Sequence, residues 1–239
     1  MKIDPVRLAS IFAVSLAMTL SGQAQQLLKA HVELRRGGHN LKDASQAVVW
    51  LTPVGTTVKA PLQKANQIPQ LIQKNKSFHP SLIVIPVGGK VEFPNHDPFF
   101  HNVFSLFEGK RFDLGLYESG STRFVQFDRP GISFIFCNIH AEMNAVVIAL
   151  ATPYYAISDR RGELAIPDVP PGRYKLQIFH SAVTPEALQA LGREVTITAE
   201  DGSLGSFTLA ETDVTMAHKN KYGRDYDPPE PDSPAYARP

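Results

Sequence analysis

The chain has 239 residues, a formal net charge of +1, eight histidines and one cysteine, and 43% of it is hydrophobic. A balance this close to neutral argues against a nucleic-acid-binding protein. A single cysteine excludes an intrachain disulfide framework, and the length suits one large β domain or two small ones.

The first residues, MKIDPVRLASIFAVSLAMTLSGQA, set Lys2 and Arg7 ahead of an apolar run from Leu8 to Leu20, with Gly22 and Ala24 at the spacing of an export cleavage site. That run is shorter than the roughly 20 residues a membrane span needs. Residues 1–24 are therefore expected to be a cleaved signal peptide, and the mature chain a periplasmic protein if its source is Gram-negative. No later segment is long and apolar enough to cross a bilayer, so no membrane span is expected. Removing 1–24 takes away Lys2, Arg7 and Asp4 and leaves basic and acidic residues evenly matched. Export sharpens the question of the cysteine, because an unpaired thiol in an oxidising compartment is buried, intermolecular or reserved for chemistry.

From there the chain reads as strands. AVVWLTPV, SLIVIPV, KVEF, RFVQF, ISFIF, AVVIAL, YKLQIF and EVTIT are short apolar or alternating runs bounded by Gly, Pro, Asn and Asp. The pattern predicts an all-β protein built of sandwiches. Side chains alternate along a strand, so Ile132, Phe134 and Phe136 share one face while Ser133, Ile135 and Cys137 share the other. Cys137 thus ends a strand where a loop begins. One short helix is expected at TPEALQALG, with Thr184 as cap, Pro185 in the first turn and Gly192 as stop. The last segment, 213–239, is polar and proline-rich and is expected to be disordered.

The chemistry concentrates in FIFCNIHAEM, residues 134–143, where Cys137, His140 and Met143 supply a thiolate, an imidazole and a thioether at three-residue spacing. A second imidazole is available upstream in FPNHDPFFHNVFS, residues 93–105, from either His96 or His101. Two histidines, one cysteine and a weak axial methionine make up the trigonal blue-copper electron-transfer site, whose soft sulfur ligands hold Cu(I) while imidazole suits both oxidation states. Taken singly, Cys137 reads as a buried hydrophobe, His101 as a turn or core histidine and Met143 as a gap-filler.

The segment FHPSLIVIPVGGKVEFPNHDPFFHNVFS, followed by GISFIFCNIHAEM, resembles the cupredoxin family, plastocyanin and amicyanin in particular, over residues 68–152. The resemblance implies a Greek-key β-sandwich that binds one copper ion per chain through His101, Cys137, His140 and Met143. It also implies a one-electron carrier between redox protein partners. The short His140-to-Met143 spacing is like that of amicyanin. Asn102 would tie its segment to the Cys137 loop, His96 would lie outside the ligand set and His79 would have no metal role. Phe99, Phe100, Ile139 and Ala141 would surround the edge of His140 as a docking patch.

A second resemblance covers ISDRRGELAIPDVPPGRYKLQIFH, residues 157–180, which is similar to the second half of carboxypeptidase regulatory-like domains, a transthyretin-like β-sandwich. Asp159, Gly162 and the Pro170–Tyr174 stretch carry it. HVELRRGGHNLKDASQAVVWLTP, residues 31–53, supplies the first half on the other side of the cupredoxin segment. The expected organisation is a sandwich divided into 27–60 and 153–212, with 68–152 inserted in one of its loops. The alternative is serial: a cupredoxin with an extended N-terminal strand, then a separate sandwich. Neither arrangement yields catalytic residues, since Glu142 and Glu163 have no evident acid-base partner, and the chain is not expected to be an enzyme. A copper chaperone or a structural binding module remain the other readings.

Overall fold

In a computed structural model of the protein, residues 27–56, 63, 67–106, 109–212 and 218–226 are described. The expected signal peptide lies outside them. Among the described residues there are seventeen strands and one short helix, so the chain is all-β, and no helix is long and apolar enough to cross a membrane.

The strands fall into three runs along the chain. The first is β1 (Leu27–Arg36), β2 (His39–Asn40) and β3 (Val48–Pro53). The second is β4 (Ile72–Lys74), β5 (Ser77–His79), β6 (Leu82–Pro86), β7 (Lys90–Pro94), β8 (His101–Ser105), β9 (Phe112–Tyr117), β10 (Thr122–Gln126), β11 (Gly131–Cys137) and β12 (Asn144–Leu150). The third is β13 (Tyr155–Ile157), β14 (Glu163–Pro167), β15 (Gly172–Phe179), α1 (Pro185–Leu191), β16 (Arg193–Ile197) and β17 (Ser203–Ala210). The first and third runs share two sheets, ordered β14-β1-β17 with β2 on β1, and β13-β3-β15-β16. The second run forms sheets of its own: β6-β12-β11-β8-β9, β10-β7 and β4-β5, with bridges from Gln70 to Glu92 and from Gln73 to Asn95 linking the two small ones.

Each pair of layers closes over its own core. In the outer sandwich, alternation along β1 turns Leu28, Ala30, Val32 and Leu34 inward against Val49, Leu51, Leu176, Ile178 and Phe207. In the middle sandwich Phe93, Val103, Ile135, Cys137, Met143 and Val147 share the interior. A third cluster joins the two, with Val48, Trp50 and Phe179 against Val146, Ile148 and Leu150. This explains why VVWL and AVVIAL are continuously apolar: β3 and β12 are covered on both faces, so neither face is free to be polar. Burial of such side chains contributes roughly 1.5–3 kcal/mol each.

Two local features fix the outer sandwich. In the turn before β14, Asp159 Oδ1 accepts the N–H groups of Arg161 (2.8 Å) and Glu163 (2.9 Å). Gly162 there has φ +80° while its carbonyl accepts the Val32 N–H at 2.8 Å, and a Cβ at this position would lie 1.9 Å from the Val32 carbonyl oxygen. Only glycine fits so close an approach. The expected helix is α1, capped by Thr184, whose side chain accepts the Ala187 N–H at 3.3 Å.

Candidate metal centre

Antiparallel pairing of β11 with β8 sets Cys137 opposite Val103 and Phe136 opposite Phe104. His101 at the start of β8 and Cys137 at the end of β11 therefore lie at the same edge of one sheet. The loop after Cys137 folds back at once. Met143 N–H donates to the His140 carbonyl (3.2 Å), and Cys137 N–H donates to the Met143 carbonyl (3.2 Å), so β12 starts beside the strand just ended.

This turn carries His140 over the sulfur. Its Nδ1 lies 3.4 Å from Cys137 Sγ, and His101 Nδ1 lies 3.6 Å from the same atom. The three candidate ligand atoms all fall within 4.8 Å of one another. His101, Cys137 and Met143 are wholly buried, and His140 is 8% exposed. Phe99 packs against both imidazoles, its ring centroid 5.3 Å from His101 and 5.5 Å from His140.

Burial favours the neutral imidazoles that a metal needs and works against the thiolate. It lowers the pKa of both imidazoles, that of His140 to about 4 with help from neighbouring His101 and Lys76, so both rings are neutral near neutral pH. Burial raises the Cys137 thiol, although main-chain N–H groups of Ile139, Asn102 and His140 point at the sulfur and oppose the rise. Those donors are ready-made partners for a thiolate once a cation replaces the proton. Metal bonds of about 2.0 Å to nitrogen and 2.3 Å to sulfur place the two donor atoms about 3.4–3.7 Å apart at open angles, which matches both sulfur–nitrogen distances. A donor set of one thiol and two imidazoles, with a methionine buried in the same cluster as the thiol, fits copper.

Of the four residues that the cupredoxin resemblance implies, His101, Cys137 and His140 come together, and Met143 closes the same loop inside the apolar cluster that holds Cys137. His96 is exposed, and its N–H donates to the Gln73 carbonyl. The expected tie by Asn102 is made through the main chain. Its carbonyl accepts the Asn138 N–H at 2.8 Å, while its side chain donates to Asp113 at 2.6 Å. Phe100 and Ala141 are exposed beside half-buried Phe99 and Ile139, which leaves an apolar rim around His140.

Two features escaped sequence reasoning. Asp97 is 3% exposed, with Oδ2 2.8 Å from His101 Nε2. Burial alone would raise its pKa, but hydrogen bonds from Lys76, His101 and Asn75 hold it below the usual carboxylate value. The other feature is the tail, expected to be disordered over 213–239, whose segment 218–226 is instead docked on the ligand loop. Tyr226 Oη donates to the Cys137 carbonyl (2.7 Å), Lys221 N–H donates to Asn138 Oδ1 (2.9 Å), Lys221 Nζ pairs with Asp113 (2.7 Å), and His218 stacks on Phe136 at 3.9 Å. The remainder of that tail, 213–217 and 227–239, lies outside the described residues. A polar segment docks here because a few specific hydrogen bonds substitute for buried apolar area.

No protein-family model and no curated protein matches the chain. Solved structures similar to parts of it include a purple cupredoxin from Nitrosopumilus maritimus, at 23% identity over 34% of this chain and 99% of that one, with a TM-score of 0.31. Another is a copper-containing nitrite reductase from Thermus scotoductus SA-01, at 22% identity and TM-score 0.34, where the match covers 50% of this chain and 28% of the reductase. A third is a variant of amicyanin in its reduced Cu(I) form at pH 4, at 13% identity over 43% of this chain and 98% of that one, with a TM-score of 0.34.

Proposed function

We propose that this chain is an exported blue copper protein that binds one copper ion and passes single electrons between redox protein partners. The observation that carries this reading is the convergence of one buried sulfur and two imidazole Nδ1 atoms at 3.4 and 3.6 Å. Copper supplies the one-electron couple there. The rest would be the work of the chain: His101, Cys137 and His140 would hold the ion with Met143 as a weaker fourth donor, and the paired strands β8 and β11 would limit how far those side chains shift when an electron moves.

The near-complete burial of the four side chains, of which only His140 reaches 8% exposure, supports a carrier rather than an enzyme. A chaperone must hand its metal over, and a cluster this enclosed favours retention. His140 sits at the apolar rim made by Phe99, Phe100, Ile139 and Ala141, and we assign that rim to the redox partner. The amino-terminal 1–24 is the proposed export signal, with the periplasm as destination.

Purified protein titrated with Cu(II) is expected to saturate at one equivalent with an intense visible band that a one-electron reductant bleaches reversibly. A colourless adduct points to a site better suited to zinc and refutes the reading. Met143→Leu is expected to be mild, because the axial bond is weak: copper stays bound, the band persists and the reduction potential moves. Loss of all copper in that variant means that Met143 is an essential ligand and the geometry is not trigonal.

A further inference from the structure

Asp97 lies in the turn between β7 and β8, four residues before His101. Its carboxylate accepts the main-chain N–H of Asn75 through Oδ1 (2.5 Å) and that of Lys76 through Oδ2 (3.0 Å), and Oδ2 also meets His101 Nε2 at 2.8 Å. The turn itself is pinned, because Asp97 N–H donates to Asn95 Oδ1 (3.0 Å) and Asn95 Nδ2 donates to the Phe99 carbonyl (2.8 Å). Two main-chain N–H donors and a facing imidazole nitrogen converging on one carboxyl group suit its ionised, acceptor-only form. Across the imidazole, Nδ1 faces the Cys137 sulfur.

We propose that Asp97 is a positioning residue of the metal centre: it takes the Nε2 proton of His101 in a hydrogen bond, presents the Nδ1 lone pair to the metal, and by its charge favours Cu(II) over Cu(I). The proposal rests on the copper reading above. The physical reason for the last part is simple. Oxidised copper carries one more positive charge than reduced copper, a single ring away from a buried anion, where screening is weak. Asp97 thereby lowers the reduction potential of the centre, while the hydrogen bond orients the ring and makes it a better donor.

Asp97→Asn in the full chain keeps nearly the same shape and an acceptor for His101 but loses the charge. Affinity for Cu(II) is expected to fall roughly ten- to hundredfold, affinity for Cu(I) to fall less, and the midpoint potential to rise. Each tenfold excess of the Cu(II) loss over the Cu(I) loss corresponds to about 59 mV. The visible band is expected to survive, because Cys137 is untouched. A purely structural role weakens both oxidation states alike, so a midpoint that stays put or falls overturns the proposal.

The substitution also disturbs the Asn75 and Lys76 donors, and a second measurement needs no variant. Nitrogen-resolved NMR of the metal-free native protein is expected to show the His101 ring proton on Nε2. A ring proton on Nδ1 overturns the proposal. A protein that takes up no copper defeats the copper reading instead, and the ring measurement then decides by itself whether Asp97 orients His101.

Discussion

Cys137→Ser is expected to give a folded protein with no visible copper band. The band arises from charge transfer from a thiolate to Cu(II), and Cys137 is the chain's only thiol. Serine's hydroxyl does not yield its proton to a metal at neutral pH, so no soft anionic donor remains between His101 and His140. Any copper still held by the two imidazoles should show the wide hyperfine splitting of ordinary nitrogen and oxygen ligation in place of the narrow splitting expected of the native site. The fold survives for a local reason. Serine nearly matches cysteine in shape, and its oxygen inherits the N–H groups of Ile139, Asn102 and His140 that face the sulfur, so the metal-free protein should lose only about 1 kcal/mol. Visible and electron paramagnetic resonance spectra of the two loaded proteins, with thermal melts of the two metal-free ones, check both halves. An undiminished band in the serine variant removes Cys137 from the ligand set.

How far each ligand was legible in the sequence depended on how local its reason is. Cys137 and His140 are readable because a period of two puts Cys137 on one face with Ser133 and Ile135 at a strand end, and a three-residue spacing within one loop needs no tertiary information. His101 is different, since nothing along the chain separates it from His96. Only the β8–β11 pairing, which spans the intervening thirty-odd residues, brings one of them to the sulfur, and the resemblance to a known family had to stand in for that pairing. Asp97 was out of reach for a related reason: its partners at Asn75 and Lys76 belong to the β4–β5 hairpin, and an acidic residue in a turn is ordinary. The docked segment 218–226 has no periodicity at all. The continuous apolar runs at β3 and β12 did signal strands, but what they pack against is the other sandwich, and a run buried on both faces does not say by what.

The same interface governs what happens when the chain is divided. Residues 68–152 made alone are expected to fold and bind copper, because every residue of the middle core, from Leu71 to Ala149, lies within them, as do all four proposed ligands. The fragment should be less stable than the full chain and prone to self-association. It leaves Val146, Ile148 and Leu150 without Val48, Trp50 and Phe179, forfeiting up to roughly 1.5–3 kcal/mol for each side chain uncovered, and exposed apolar faces of that kind associate. It also lacks the Tyr226 and Lys221 contacts on the ligand loop, so its band should keep its intensity while its potential differs from that of the whole protein. The complementary chain, with the segment ending near Ala60 joined through a short Gly/Ser linker to the one starting near Pro153, should be a copper-free β-sandwich that melts in one cooperative transition. It retains the pairing of β1 with β14 and β17 and of β3 with β13 and β15. The serial arrangement demands the opposite, with residues 31–53 belonging to the copper unit. If 68–152 aggregates through an unpaired edge while 26–152 folds and takes up copper, as read by circular dichroism and thermal melts, the inserted arrangement is wrong.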